Sequence, residues 1–340
     1  MKYDNDDKAL IMLSFDTGSA RRVARMKSVS RPSQLFRDYS HADAVIEAME
    51  QNGIRAIGYN SDEYPDHLRS LLADPPVVLY CRGDASLLAD ESRNMAVVGT
   101  RTITRYGKDV TTQFVRAFAY EGLCVVSGGA RGVDSLAHRT ALECGGKTVA
   151  VLGCGVDVAY PPENKELLNE IAQNGLVVSE YPPGTPPNQF RFPERNRLIA
   201  AFSSGVLVTE AGLKSGSLIT ADLAIEQGKE LYVVPGSVFS KQSEGCNAKI
   251  KECQAAAVTA PEDILGAAVH KDEGELGVQL SLEQSRIIDI LSKEESMHFS
   301  ELLEDSGLST GELSALLSEM EIFGMVNKLG GNYYQVARRL

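Results

Sequence analysis

The chain has 340 residues, 43% apolar and 24% charged, the profile of a globular protein of two or three domains. It lacks a run of about 18 uncharged apolar residues, so no helical membrane span is expected; the N-terminal "MKYDNDDKALIML" has acids where a secretory leader is basic, so a cytoplasmic location is expected. Net charge is −12 and uneven: 11 basic against 15 acidic residues in 1–92, 17 against 18 in 93–270, and 5 against 11 in 275–340. That rules out a uniformly basic nucleic-acid binder, but a nearly neutral middle region still has room for a basic pocket, because pocket fields are set locally.

Residues 1–92 read as a helical N-terminal domain and approach segment. Ser40 is placed to cap a helix over "HADAVIEAMEQNG", with Ala42, Val45, Ile46 and Met49 at helical spacing and Gly53 as the stop. Arg21 to Arg37 holds six basic residues and no acid, and a solvated helical face is the plainer reading of it.

From Asn94 the pattern changes. Short apolar runs, "MAVVGT", "LCVVSGG", "TVAVLGCG", "LVVSE", "SGVLVTE" and "LYVVPGS", alternate with longer helical patterns. Strands buried on both faces and separated by helices predict a doubly wound, Rossmann-like parallel sheet over 93–268. A linker at 269–280 follows. Residues 281–340 give three helices and a hairpin over Gly330-Gly331, a winged-helix pattern.

Ligands of such sheets sit beyond the C-terminal strand ends. Three strands here exit into glycine- or serine-rich turns: Gly99-Thr100-Arg101, Ser127 to Gly132, and Ser215-Gly216-Ser217. Turns that lead into helices present backbone N–H groups to anions, and Arg101, Arg131 and Lys214 stand beside them. A phosphate-type site is therefore expected. After the fourth strand and the stiffening "YPPGTPP" comes "QFRFPERNRLIAAFSS", with Arg191, Arg195 and Arg197 inside seven residues. Arginine forks suit phosphates and Phe192 suits base stacking, which together point to single-stranded nucleic acid. The expected division puts the clamp in the first half, through Arg197, and a core-facing helix over Leu198 to Phe202.

Other chemistries lack support. "GCGVDV" misses the third glycine of a dinucleotide fingerprint and follows the wrong strand, and there is no Walker motif, so no cofactor is expected. Six cysteines form no CxxC pair and no His pair has ligand spacing, so packed thiols and no metal are expected. His138 reads as structural. Glu180 and Glu210 end strands, where an organising ion pair is the plainer role.

These motifs carry a resemblance. "GTRTITRYG", "SGGARGVDSLAH", "AVLGCGVDVAYPPEN", "SEYPPGTPPNQFRFPERNRLIA", "EAGLKSGSLITADLA" and "VVPG", in this order and spacing, resemble the DNA processing protein A family (DprA/Smf) over about 93–240. The tail is similar to that family's winged helix. The resemblance implies a non-catalytic, dimeric single-stranded DNA-binding protein that protects incoming DNA and loads a RecA-type recombinase in natural transformation (competence) or homologous recombination. It implies DNA-binding positions at Arg101, Gly128, Gly129, Arg131, Phe192, Arg195, Asn196, Arg197, Lys214 and Ser215. "GCNAKIKECQAA" departs from the family's usual pattern after the last strand. A more distant likeness, to nucleoside-monophosphate phosphoribohydrolases, implies an alternative: N-glycosidic hydrolysis with Glu210. Finally, the third helix of the winged helix holds Glu312, Glu319 and Glu321 and no cation. Such a helix meets phosphate repulsion in a major groove, so a protein contact is expected there in preference to duplex DNA.

Overall fold

The computed structural model describes residues 3–17, 32–35, 37–71, 74–266, 281–294, 296–322 and 325–336. The basic stretch from Arg21 to Arg31 and the linker 269–280 lie outside them. Two compact units form, residues 1–269 and 270–340.

The first unit is built on one nine-stranded sheet. Its strands are β1 (Arg55–Gly58), β2 (Val78–Gly83), β3 (Asn94–Val98), β4 (Cys124–Ser127), β5 (Thr148–Leu152), β6 (Leu176–Ser179), β7 (Gly205–Val208), β8 (Glu230–Val233) and β9 (Ala256–Ala257). Their spatial order is β1-β2-β6-β5-β4-β3-β7-β8-β9. The six predicted strands are β3 to β8, all parallel to their neighbours among these six. The helical reading of 1–92 holds at Asn5–Thr17 and Ser40–Gln51 but not at β1 and β2, which join the sheet antiparallel through β6. Both strands are short, and neither is flanked by the strand–helix rhythm that marks the others.

Strand register puts alternate residues on opposite faces. On one face Ala96, Val126, Val149, Val178 and Val206 pack under Leu198, Ala201 and Phe202 of the helix Arg191–Ala201 and its end. On the other, Met95, Val97 and Val125 meet Phe114 and Phe118 of the helix Arg105–Tyr120 and Ala137 of the helix Val133–Glu143. Chain order reverses direction at β3: β4, β5 and β6 extend one way, β7, β8 and β9 the other. The loops after β3 and β7 therefore diverge at the switch point, where an open α/β sheet leaves a crevice.

The second unit is a winged helix. Helices Leu282–Leu291, Phe299–Ser306 and Thr310–Ile322 pack on a sheet in which β12 (Tyr333–Val336) lies between β10 (Met297–His298) and β11 (Val326–Lys328). Ile287, Leu302, Leu313, Leu317, Met320 and Val326 form its core. Ser281 and Gln284 close a capping box on the first helix.

His138 has the structural role expected of it. Thr148 donates its hydroxyl proton to the Val125 carbonyl, 2.7 Å away, so toward His138 Nδ1, also at 2.7 Å, it accepts. Nδ1 therefore carries a proton, and the buried Nε2, with no partner to receive a second one, leaves the imidazole neutral. Burial, with Arg195 nearby, pushes its pKa down to about 3. Unfolded histidine titrates near 6.5, so this group's stability is full above about pH 6.5 and is lost as pH falls toward 3, by up to about 1.4 kcal/mol per pH unit. Urea unfolding between pH 7 and pH 4 should show this loss, and His138→Gln should remove that part of the slope; identical slopes in the two proteins would contradict it.

Candidate nucleic-acid interface

A cavity of about 850 Å³ opens at the β3/β7 switch point, near the top of the range of ligand sites, about 300–1,000 Å³. Loops from both halves of the sheet line it: Gly99 to Thr102 after β3, Ala130 and Asp134 after β4, Tyr160 after β5, Gly212 and Lys214 to Ser217 after β7, and Gln242 after β8. The segment from Pro187 forms one wall.

That wall explains the arginine cluster. The helix starts at Arg191, with Pro193 in its first turn, where a missing N–H leaves no helical bond unmade. Phe192, Arg195, Asn196 and Ile199 stand at i, i+3, i+4 and i+7, so one helix face lines the cavity. Arg197 falls off that face. Its guanidinium grips Glu180 with both ends, Nη1 at 2.9 Å and Nη2 at 2.7 Å, and also reaches the Asp74 carbonyl at 3.2 Å. Burial pushes the Glu180 carboxyl up, and the Arg197 charge opposes that shift. The expected clamp role of Arg197 thus meets an internal ion pair, and Glu180 has the organising role read from its strand end. Leu198 to Phe202 are all 0–1% exposed, as the core-facing reading requires.

Arg195 is the cavity's buried cation, 4% exposed. It donates to the carbonyls of Gly128, at 2.7 Å, and Val151. Its Nε has no partner, and no carboxylate forms an ion pair with it among the described residues. Asp134 lies close enough to stabilise its charge. Its hydrogen bonds go to neutral carbonyls, and Asp134, which also lines the cavity, offsets part of the cost of burying its charge.

The three glycine turns differ. In the β4 turn, the amides of Gly128 and Ala130 donate to Asp134 Oδ2 at 3.2 and 3.3 Å. Gly129 faces Leu152 and Leu168, and Arg131 pairs with Glu163. In the β3 turn, Thr104 donates its amide (2.9 Å) and hydroxyl (2.5 Å) to Glu210, and the Thr100 amide bonds the Glu210 carbonyl. The chain's own carboxylates therefore occupy two of the three expected anion sites, and Gly128, Gly129 and Arg131 do not line the cavity. Only the β7 turn stays open: Lys214 is exposed without an ion pair among the described residues, and Ser215 Oγ lies 2.7 Å from Ser217 Oγ.

Opposite the open turn is an aromatic stack. Tyr160 stacks on Phe192 with centroids 5.2 Å apart and ring planes inclined by 25°, and the Arg101 guanidinium sits 5.9 Å from the Phe192 centroid. Gly153 makes room for Phe192, since a Cβ there would meet Cδ1 at 2.9 Å. Phe192 is partly buried, and Tyr160, 36% exposed, is the more solvent-facing ring of the stack. Sequence reasoning missed Tyr160 and Gln242; "YPPEN" after the third strand has the same proline stiffening that drew attention to "YPPGTPP".

Among the described residues no cluster of His, Cys, Asp or Glu is arranged to hold a metal, and no helix is long and apolar enough to cross a membrane.

A doubly wound sheet with a cation-lined cavity at its switch point, followed by a winged helix, defines a Rossmann-like protein with an appended winged-helix domain. Residues 55–268 match the family described as DNA recombination-mediator protein A, and residues 274–332 match the DprA winged helix domain. The chain belongs to this family, DprA/Smf. It is 38% identical over 240 residues to the DNA processing protein DprA of Bacillus subtilis, covering 71% of this chain and 80% of the relative. To the DprA of Streptococcus pneumoniae it is 39% identical over 243 residues, covering 72% and 84%. The solved DNA processing protein A of S. pneumoniae superposes with a TM-score of 0.63 at 34% identity, over 78% of this chain and 99% of that one. The Helicobacter pylori protein, described for its unique single-stranded DNA binding mode, gives 0.57 at 36% identity, over 62% and 94%.

Removing Arg197 strands a buried carboxylate, so Arg197→Ala should lower unfolding free energy by about 3–5 kcal/mol. Lys214→Ala should change it by less than about 0.5 kcal/mol. Urea titrations check both, and a loss below 1 kcal/mol for Arg197→Ala would contradict the ion-pair role.

Proposed function

We propose that the cavity binds single-stranded DNA, and that the protein protects incoming strands and loads a RecA-type recombinase onto them in natural transformation or homologous recombination. One observation carries this reading: Arg101, Arg195 and Lys214 converge with Tyr160 and Phe192 on one cavity, with no carboxylate paired to any of the three cations among the described residues. Cations track a phosphate backbone, and a free aromatic face takes an unstacked base, which only a single strand offers. The family and the single-stranded DNA binding described for the H. pylori relative support it.

In this reading the domain over 93–268 holds the strand, with Arg101, Phe192, Arg195, Asn196, Lys214 and Ser215 at the contact. Gly128 positions Arg195, and Gly129, Arg131 and Arg197 shape the surrounding turns. The protein works as a homodimer in the cytoplasm, without cofactor or catalysis. Glu210 supports the last point: the residue is 2% exposed and both carboxylate oxygens hold Thr104, so the carboxylate that the hydrolase alternative needs is already engaged. The winged helix contacts a protein; Glu312, Glu319 and Glu321 are exposed on its third helix.

Affinity for oligo-dT should fall steeply with salt, with a log–log slope of about −0.7 per phosphate contact. Lys214→Ala should weaken binding to all sequences alike and flatten that slope by roughly one contact. Salt-independent binding, or release of free base from a nucleotide abolished by Glu210→Ala, would overturn the reading.

A further inference from the structure

The loop between β8 and the helix Glu244–Lys251 carries the most exposed large apolar side chains of the described residues: Phe239 is 95% exposed and Val238 78%. The two are adjacent in the chain, so the loop tip presents a contiguous apolar surface and not a single scattered side chain. The loop is not loosely held. The Asn247 side chain accepts from the Gly236 amide at 3.2 Å and donates to its carbonyl at 3.0 Å. Ser240 and Ser243 amides close successive turns onto Ser237 and Ser240 carbonyls, each at 3.0 Å. The Phe239 amide is tied to Ser237 Oγ at 3.3 Å. Phe239 is thus presented outward by a braced turn.

Two contacts join this loop to the cavity. Gln242 lines it and lies 3.4 Å from Thr100 Oγ1. On the loop's other side, Tyr106 donates its hydroxyl to the Pro235 carbonyl at 2.5 Å while its ring stays 45% exposed. Cations flank both rings along the chain, Arg105 and Lys108 about Tyr106 and Lys241 beyond Phe239, with Asp109 the acid nearest Tyr106. Arg105, Lys108 and Lys241 are exposed, and none has an ion-pair partner among the described residues. The nearest acid along the loop, Glu244, opens the next helix.

We infer that the cavity is the start of a longer path, in which single-stranded DNA leaves past Gln242 and stacks a base on Phe239 while Lys241, Arg105 and Lys108 take phosphates. This rests on the strand-binding role of the cavity. Interleaved cations and exposed rings suit a single strand, since every base has a π-face and every nucleotide a charge. A second protein copy would bring this same cationic surface against itself.

The test is a ladder of oligo-dT lengths, bound by the full chain as wild type, Phe239→Ala and Phe239→Trp. Because Phe239 is exposed, both variants should keep the wild-type melting temperature. Phe239→Ala should bind the shortest retained oligonucleotides as wild type does and longer ones about tenfold more weakly. The chain has no other tryptophan, so Phe239→Trp gives a clean reporter: its fluorescence should be quenched by long but not by short oligonucleotides, with affinity restored. Wild type that binds no oligonucleotide overturns the cavity's role and the path with it. Wild type that binds while Phe239→Ala matches it at every length overturns the path alone. A change in sedimentation of Phe239→Ala without a change in DNA affinity also overturns the path, and assigns the ring to a protein contact.

Discussion

One buried guanidinium holds the candidate site together. Arg195 bridges three elements: it rises from the helix Arg191–Ala201, bonds the Val151 carbonyl in β5 and the Gly128 carbonyl after β4, and lines the cavity. Those bonds fix the helix rotation, and the rotation decides which neighbours face the ligand. With Arg195 inward, Phe192, Asn196 and Ile199 must also face the cavity, and Arg197 must turn away toward Glu180. Asp134 completes the arrangement by holding the Gly128 and Ala130 amides beside the cation.

Around that centre the protein has divided its charges between two tasks. Asp134, Glu180 and Glu210 are all buried and bonded by internal donors, and they shape the turns and the helix. Arg101 and Lys214 remain exposed without a carboxylate partner among the described residues. A chain with net charge −12 thereby keeps two exposed cations on the cavity lining. Net charge governs solubility and long-range encounter, whereas the pocket's field depends on which acids are internally spent.

The sequence made much of this legible. Six parallel strands were read from short apolar runs, because burial on both faces leaves an unbroken signature. The winged helix followed from three periodic helices and the Gly330-Gly331 hairpin, and Leu198 to Phe202 were read as core. β1 and β2 were not visible, since antiparallel strands of four and six residues carry little pattern. The site was legible by place but not residue by residue. Arg101, Phe192, Arg195, Asn196, Lys214 and Ser215 line the cavity; Gly128, Gly129, Arg131 and Arg197 do not. Glycine turns look alike in sequence whether an external anion or an internal carboxylate fills them. Arg197 was placed with its neighbours because the segment was read as a clamp preceding a helix, and helical periodicity separates it from Asn196 by about 100°.

Cross-linking is the most direct test of the central claim that the cavity is the strand-binding site. Oligo-dT bearing 4-thiothymidine, bound to the full chain and irradiated, reports contact residues by mass spectrometry. The account predicts adducts on peptides containing Tyr160, Phe192 and Lys214. Adducts confined to the winged helix, with none on those peptides, would contradict it.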